Sequence, residues 1–132
     1  MKKKVLLLDD NMSVTKSSID ELDKVFDVVR CKQIKVAAHR LLIYQFDLLV
    51  IDLMMPPEGL DVKDEFNAGF FFYKQYVKGK YDSIPVLFWT NLNETPYHEF
   101  MKENGENPLL HYLQKSDDNE ELVNKVKEIL GM

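Results

Sequence analysis

The stretch Phe46-Asp47-Leu48-Leu49-Val50-Ile51-Asp52 decides the fold. Four consecutive apolar residues, β-branched at Val50 and Ile51, leave no polar face, which is the pattern of a strand covered on both sides. The acid that ends the run then stands at the edge of a sheet. Four more short apolar runs flank it, at 5–8, 26–29, 84–89 and 109–113, the fourth strand proper beginning after Pro85, where a missing N–H is tolerated. Segments of helical spacing lie between them. Val14, Ser18, Leu22 and Val25 share one face, with Ile19 beside them; Ala37, Ala38, Leu41 and Leu42 share another, within about 35–45. Phe72, Tyr73 and Tyr76 align after Gly69. The last stripe is Leu122, Val123, Val126, Ile129 and Leu130, preceded by an Asp117/Glu120 capping pattern and ended by Gly131.

Strands alternating with helices require right-handed crossovers and a parallel sheet with helices on both faces. The expected fold is α/β, a doubly wound five-stranded parallel sheet of order 2-1-3-4-5. In that topology ligands bind at the carboxyl ends of the strands, near the switch point between the first and third. The one irregular stretch, 54–68, carries two prolines, Gly59 and several acids, and is longer than a usual connection.

A chain of 132 residues buries one core and is read as a single domain, 1–132. Its 17 basic against 22 acidic side chains give a net charge of -5, so no basic excess exists to neutralise nucleic-acid phosphates. The lone Cys31 cannot form an internal disulfide. No apolar run approaches the ~18 residues of a membrane span. The run after Lys2-Lys3-Lys4 stops after four residues at Asp9-Asp10, too short for a signal peptide. These features predict a cytoplasmic protein without nucleic-acid or membrane partners.

The topology brings to one rim Asp9 and Asp10 after the first strand, Asp52 after the third, Thr90 ending the fourth and Lys115 after the fifth. Taken singly, each has an ordinary reading as a turn, cap or surface residue. Together, three carboxylates repel unless a cation lies between them. Oxygen donors on a partly open site suit Mg2+, which shares its coordination with phosphate oxygens. An Asp carboxylate can accept a phosphoryl group, and the transition state needs positive charge and donors around the equatorial oxygens. Mg2+, the Lys115 ammonium and the Thr90 hydroxyl would supply them.

These residues, in the segments Val5-Leu6-Leu7-Leu8-Asp9-Asp10-Asn11, Asp52-Leu53-Met54-Met55-Pro56, Ile84-Pro85-Val86-Leu87-Phe88-Trp89-Thr90 and Tyr112-Leu113-Gln114-Lys115, resemble a response-regulator receiver domain of two-component signalling, over essentially the whole chain. The resemblance implies a flavodoxin-like receiver fold without an output domain, not an enzyme beyond its own phosphorylation and dephosphorylation. It implies Asp52 as phosphoacceptor, and Asp9, Asp10, Asp52 and the Met54 carbonyl as Mg2+ ligands, Asp10 being the more direct of the acidic pair. Thr90 would be the switch hydroxyl, and Tyr112 the aromatic that reorients with it. The implied partners are a histidine kinase or histidine phosphotransfer protein upstream and another protein downstream. In receivers the positions two beyond the phosphoacceptor and two beyond the switch Thr orient the hydrolytic water; here they are the apolar Met54 and Leu92.

The sequence departs from the receiver pattern in three places. Ser116 stands where a proline usually follows the lysine, Asn91 where a small residue usually follows the threonine, and Gly69 comes seventeen residues after Asp52, later than usual. The acids Glu58, Asp61, Asp64 and Glu65 of the long stretch read as a solvated loop or a cover on the site.

Three other functions compete. A haloacid-dehalogenase-like phosphatase needs a second Asp two residues after its nucleophile, where this chain has Met54. A flavin or nucleotide module needs a glycine-rich phosphate loop, where this chain has Asp9-Asp10-Asn11. A receiver-like interaction scaffold that is never phosphorylated fits the departures. His39, His98 and His111 lack metal-ligand spacing, and Cys31 reads as an apolar filler. Phe70-Phe71-Phe72-Tyr73 is more apolar than one helical face needs; two of the four are expected in the core, with the surplus packing under the long loop or facing a partner.

Overall fold

The computed structural model describes residues 2–56 and 67–132. The acids at 58, 61, 64 and 65 therefore lie outside the described residues, as does the question of whether they cover the site.

Five strands, β1 (Lys4–Leu8), β2 (Asp27–Cys31), β3 (Leu48–Ile51), β4 (Val86–Thr90) and β5 (Leu110–Gln114), pair in parallel in the order β2-β1-β3-β4-β5. Five helices connect and follow them: α1 (Lys16–Val25), α2 (Ile34–Ile43), α3 (Ala68–Phe72), α4 (Thr95–Asn104) and α5 (Glu121–Ile129). The expected doubly wound topology is the observed one.

Strand alternation divides the interior into two layers. Leu6, Leu8, Leu49, Ile51, Val86 and Phe88 meet α2, α3 and α4 on one face. Val5, Leu7, Leu48, Val50, Leu87 and Trp89 meet α1 and α5 on the other. Every residue of β3 is buried, because it lies mid-sheet beneath helices on both sides. The edge strand β2 alternates far less and is half exposed.

Several local expectations change. Val14 precedes α1 and is 74% exposed, and Leu42 is 78% exposed at the end of α2, so neither belongs to the core stripe assigned from spacing. The helix after Gly69 begins at Ala68, and at Tyr73 it widens into a π-helical turn, Tyr73–Val77. Three of the four residues in Phe70-Phe71-Phe72-Tyr73 are buried, one more than expected; only Phe71 stays partly exposed. Helix α4 has no counterpart in the hydrophobic spacing, since it buries only Phe100; Pro96 at its start and the positive φ of Gly105 at its end bound it instead.

The Asp117/Glu120 capping box is not made. Asp118 accepts the Glu120 N–H at 3.0 Å, and Ser116 Oγ donates to Glu121 at 2.8 Å. At the other end of α5, Gly131 adopts positive φ, its N–H donates to the Glu128 carbonyl, and that of Met132 donates to the Lys127 carbonyl. This is the glycine-dependent stop expected there.

Candidate functional site

Strand register builds the site. Leu8 pairs with Ile51, so Asp9 and Asp52 leave the sheet side by side at its carboxyl edge. Their own N–H groups continue the ladders, Asp9 to the Cys31 carbonyl at 3.0 Å and Asp52 to the Leu8 carbonyl at 2.9 Å. The backbone therefore aims both carboxylates before any side-chain choice is made. Thr90 pairs with Gln114, and the Lys115 N–H donates to the Thr90 carbonyl at 2.8 Å, which brings the lysine back over the same edge.

The Lys115 ammonium lies between two buried acids, 2.7 Å from Asp9 Oδ2 and 3.0 Å from Asp52 Oδ2. Its side chain is 6% exposed, and it also stands 4.9 Å above the Trp89 ring. Each acid keeps a second partner: the Asn11 N–H donates to Asp9 at 2.9 Å, and the Met54 N–H to Asp52 at 3.1 Å. Asp10 is exposed and makes neither contact, yet carboxylate oxygens of Asp9, Asp10 and Asp52 all lie within 4.8 Å of one another.

Burial pushes the Asp52 carboxyl above the ordinary range, and nearby Asp9 adds to the rise, while Lys115 opposes it only in part. Burial alone would lower the Lys115 ammonium, but Asp52 and Asp9 together hold it above its usual value. The lysine thus stays charged at neutral pH.

A cavity of about 240 Å³ opens over Asp52, lined also by Asp10, Met54, Asn91 and Lys115. Thr90 is fully buried, and its hydroxyl accepts the Leu92 N–H at 3.4 Å; Asn91, rather than Thr90, lines the cavity. Tyr112 lies outside it, its hydroxyl donating to the Leu92 carbonyl and its ring stacked on Tyr97 at 5.5 Å. Thr90 and Tyr112 therefore grip the same short segment, Asn91–Leu92, through one backbone bond each. Among the described residues there is no cis peptide bond, including that before Ser116.

Two contributors were not assigned a role from the sequence. Asn11 fixes Asp9 through its backbone N–H, which no side-chain pattern reveals. Gly69, seventeen residues after Asp52, acts sterically. A Cβ there would stand 2.3 Å from the Asp52 carbonyl oxygen and 2.8 Å from Leu53 Cα, so only a bare residue lets α3 back onto the loop after Asp52. The Gly69 N–H donates to the Leu53 carbonyl at 3.1 Å, fastening the two.

Comparison with solved structures places this fold. The chain resembles a CheY-like response regulator receiver domain protein from Methanospirillum hungatei (TM-score 0.74, 18% identity, 99% of this chain and 95% of that one). It is similarly close to the chemotaxis protein CheY4 of Vibrio cholerae (TM-score 0.74, 22% identity, 98% and 99%). A third is the response regulator TrrA of Thermotoga maritima in complex with Mg(2+)-BeF (TM-score 0.70, 20% identity, 96% and 98%). No family model and no curated protein matches the sequence. The class is plain: the described residues have the response-regulator receiver fold, and the match spans 99% of the chain. Among the described residues, no helix is long and apolar enough to cross a membrane.

Proposed function

We propose that this protein is a phosphorylation-dependent signalling switch that accepts a phosphoryl group on Asp52 and acts through a protein partner. One observation carries the reading. A buried carboxylate with a raised pKa faces a cavity at the carboxyl edge of a receiver fold, with a buried ammonium 3.0 Å away.

The donor set fits a divalent cation. Asp9, Asp10 and Asp52 bring three carboxylates together, and the Lys115 ammonium, held between Asp9 and Asp52, offsets one charge, which leaves two uncompensated on hard oxygen ligands. Asp10, free of the lysine and lining the cavity, with Asp52 and the Met54 carbonyl, would hold the ion, and Asp9 would orient its surroundings. Bound there, Mg2+ would supply positive charge to the phosphoryl oxygens.

The chain's own residues do the rest. In the transfer, an Asp52 oxygen forms the new O–P bond as the N–P bond of a phosphohistidine breaks, and the released imidazole takes up a proton. Lys115 offsets charge on the transferring group, being charged and already aimed at Asp52. Asp9, which shares Lys115 with Asp52, holds the ammonium in place. The added group competes for Lys115 and for the Thr90 hydroxyl, and Thr90 shares its Leu92 anchor with Tyr112. A phosphoryl group bonded to Thr90 is thus three hydrogen bonds away from the partly buried Tyr112. The chain catalyses only its own phosphorylation and dephosphorylation, and its donor is a histidine kinase or phosphotransfer protein.

The test is intact mass after incubation with a small phosphodonor, with and without Mg2+. One added phosphate, dependent on Mg2+ and absent in Asp52→Asn, is the expected result. Equal labelling of Asp52→Asn refutes the assignment; no labelling of the parent leaves the interaction scaffold as the function.

A further inference from the structure

The aromatic run at 70–73 is only partly used by the core, and what remains borders a groove between α3 and α4. The groove has a volume of about 250 Å³, room for one large side chain rather than a cofactor. Its floor is the stacked pair Phe70 and Phe100, with ring centroids 4.4 Å apart at 5°. One wall is the partly exposed Phe71, with the Lys74 ammonium 5.3 Å above its ring. The other wall is the exposed side of α4, where Glu99 and Glu103 stand one helical turn apart. Neither makes an ion pair among the described residues, whereas Glu94 on the same helix pairs with His98 at 3.2 Å.

An aromatic floor beside two unpaired carboxylates at i and i+4 selects one chemistry. We infer that this groove docks a helix of a partner protein that inserts one large apolar side chain and sets Lys or Arg residues, spaced by a turn, against Glu99 and Glu103. The apolar anchor supplies the affinity, and the carboxylates supply orientation and exclude acidic helices. On a chain of net charge -5, a basic partner is also the one drawn in by the overall field. The neighbouring π-helical turn is a further mark of this side of the molecule, since such turns cluster at functional positions.

The groove is mechanically tied to the site. Its α3 wall includes Gly69, fastened to Leu53, and its α4 wall follows the Thr90–Leu92 segment. Docking itself does not require the switch reading; any change of affinity on phosphorylation rests on it.

The probe is an alanine-based helical peptide with one Trp and, on the same face, two Arg residues four positions apart, compared with its Glu-for-Arg twin. Both are titrated into the full chain and followed by backbone amide resonances. The Arg peptide is expected to shift Phe70, Phe71 and Phe100 and to bind about tenfold tighter than the Glu peptide, the size expected for two exposed charge pairs. Glu99→Lys with Glu103→Lys should reverse the order. Phe71→Ala should weaken the Arg peptide about tenfold while leaving the circular dichroism unchanged. Shifts confined to another face, equal binding of the two peptides, or failure of the reversal each overturn the proposal. Self-association of the full chain that is lost in the double variant also overturns it, making a second copy the occupant. Loss of labelling at Asp52 in the phosphodonor experiment touches none of these readouts, so the two ideas fail separately.

Discussion

Removing the Lys115 ammonium is the sharpest test of how the acidic edge is held together. At an effective dielectric constant near 20, unit charges 3.0 Å apart attract by about 5 kcal/mol, and Lys115 makes such a contact with Asp52 and a closer one, 2.7 Å, with Asp9. Burying the ammonium offsets much of this, so the net loss on breaking a buried pair is about 3–5 kcal/mol. In Lys115→Met the lower end applies. Asp52, already held above the ordinary carboxylate range by burial, can take up a proton and relieve its repulsion with Asp9. A loss of about 3 kcal/mol in EDTA at pH 7.5 corresponds to a fall in Tm of roughly 10–15 °C for a chain this size.

The pH dependence follows from the signs. Lys115 has a raised pKa, so the stability it contributes is complete below its unfolded value and is lost only as pH rises through its folded one, far above neutrality. Between pH 5 and 8 that contribution is constant, and any change comes from the carboxylates. The gap between parent and variant should therefore narrow as pH falls through the raised pKa of Asp52. Added Mg2+ should recover part of the lost Tm in the variant, and bind it more tightly than the parent, because a competing cation has gone. Thermal unfolding by circular dichroism at several pH values, with EDTA or Mg2+, measures all three. A variant within two degrees of the parent in EDTA, or a gap that does not narrow in acid, would refute the idea that Lys115 compensates this cluster.

Other expectations follow from the same geometry. Asp52→Asn should raise Tm in EDTA by a few degrees, about 1 kcal/mol. A raised Asp pKa means ionisation opposes folding, so the gain should be full above the folded pKa and vanish below the unfolded one. Gly69→Ala should cost about 1–3 kcal/mol and slow phosphorylation, because the new Cβ meets the backbone of Asp52 and Leu53 rather than a yielding side chain; urea melts and mass labelling read the two effects, and a neutral substitution would sink the steric argument. Trp89 emission should change when beryllofluoride and Mg2+ bind, since the ammonium 4.9 Å above its ring is the group that would engage the new anion; an unchanged spectrum at saturation argues that Lys115 stays in place. The phosphorylated form should be long-lived, because Met54 at the cavity and Leu92 packed against the core offer no side-chain group to hold a water; Met54→Asn or Leu92→Glu should speed loss of phosphate by ~10–100-fold, followed by mass after removal of the donor.

The fully apolar run at β3 and the alternation of strands with helical stripes pointed to a doubly wound parallel sheet, for which the order 2-1-3-4-5 suits five strands. Hydrophobic period and handedness leave few topologies for such a pattern. That order also carried Asp9, Asp10, Asp52, Thr90 and Lys115 to one rim, because strand ends are addressed by sequence position. What the pattern did not contain was anything dependent on three-dimensional neighbours. Val14 and Leu42 share the spacing of core residues but face solvent, since periodicity reports an angle around a helix and not whether another element covers it. Helix α4 escaped notice because a helix that buries only Phe100 has almost no hydrophobic signature. Similarly, the sequence named Lys115 as one of several positive groups. Only the register of β1 against β3 and of β4 against β5 placed its ammonium between Asp9 and Asp52, and only the packing of α3 gave Gly69 its reason to be bare. Local chemistry is written along the chain, but burial, pKa and close approach are properties of what folding brings alongside.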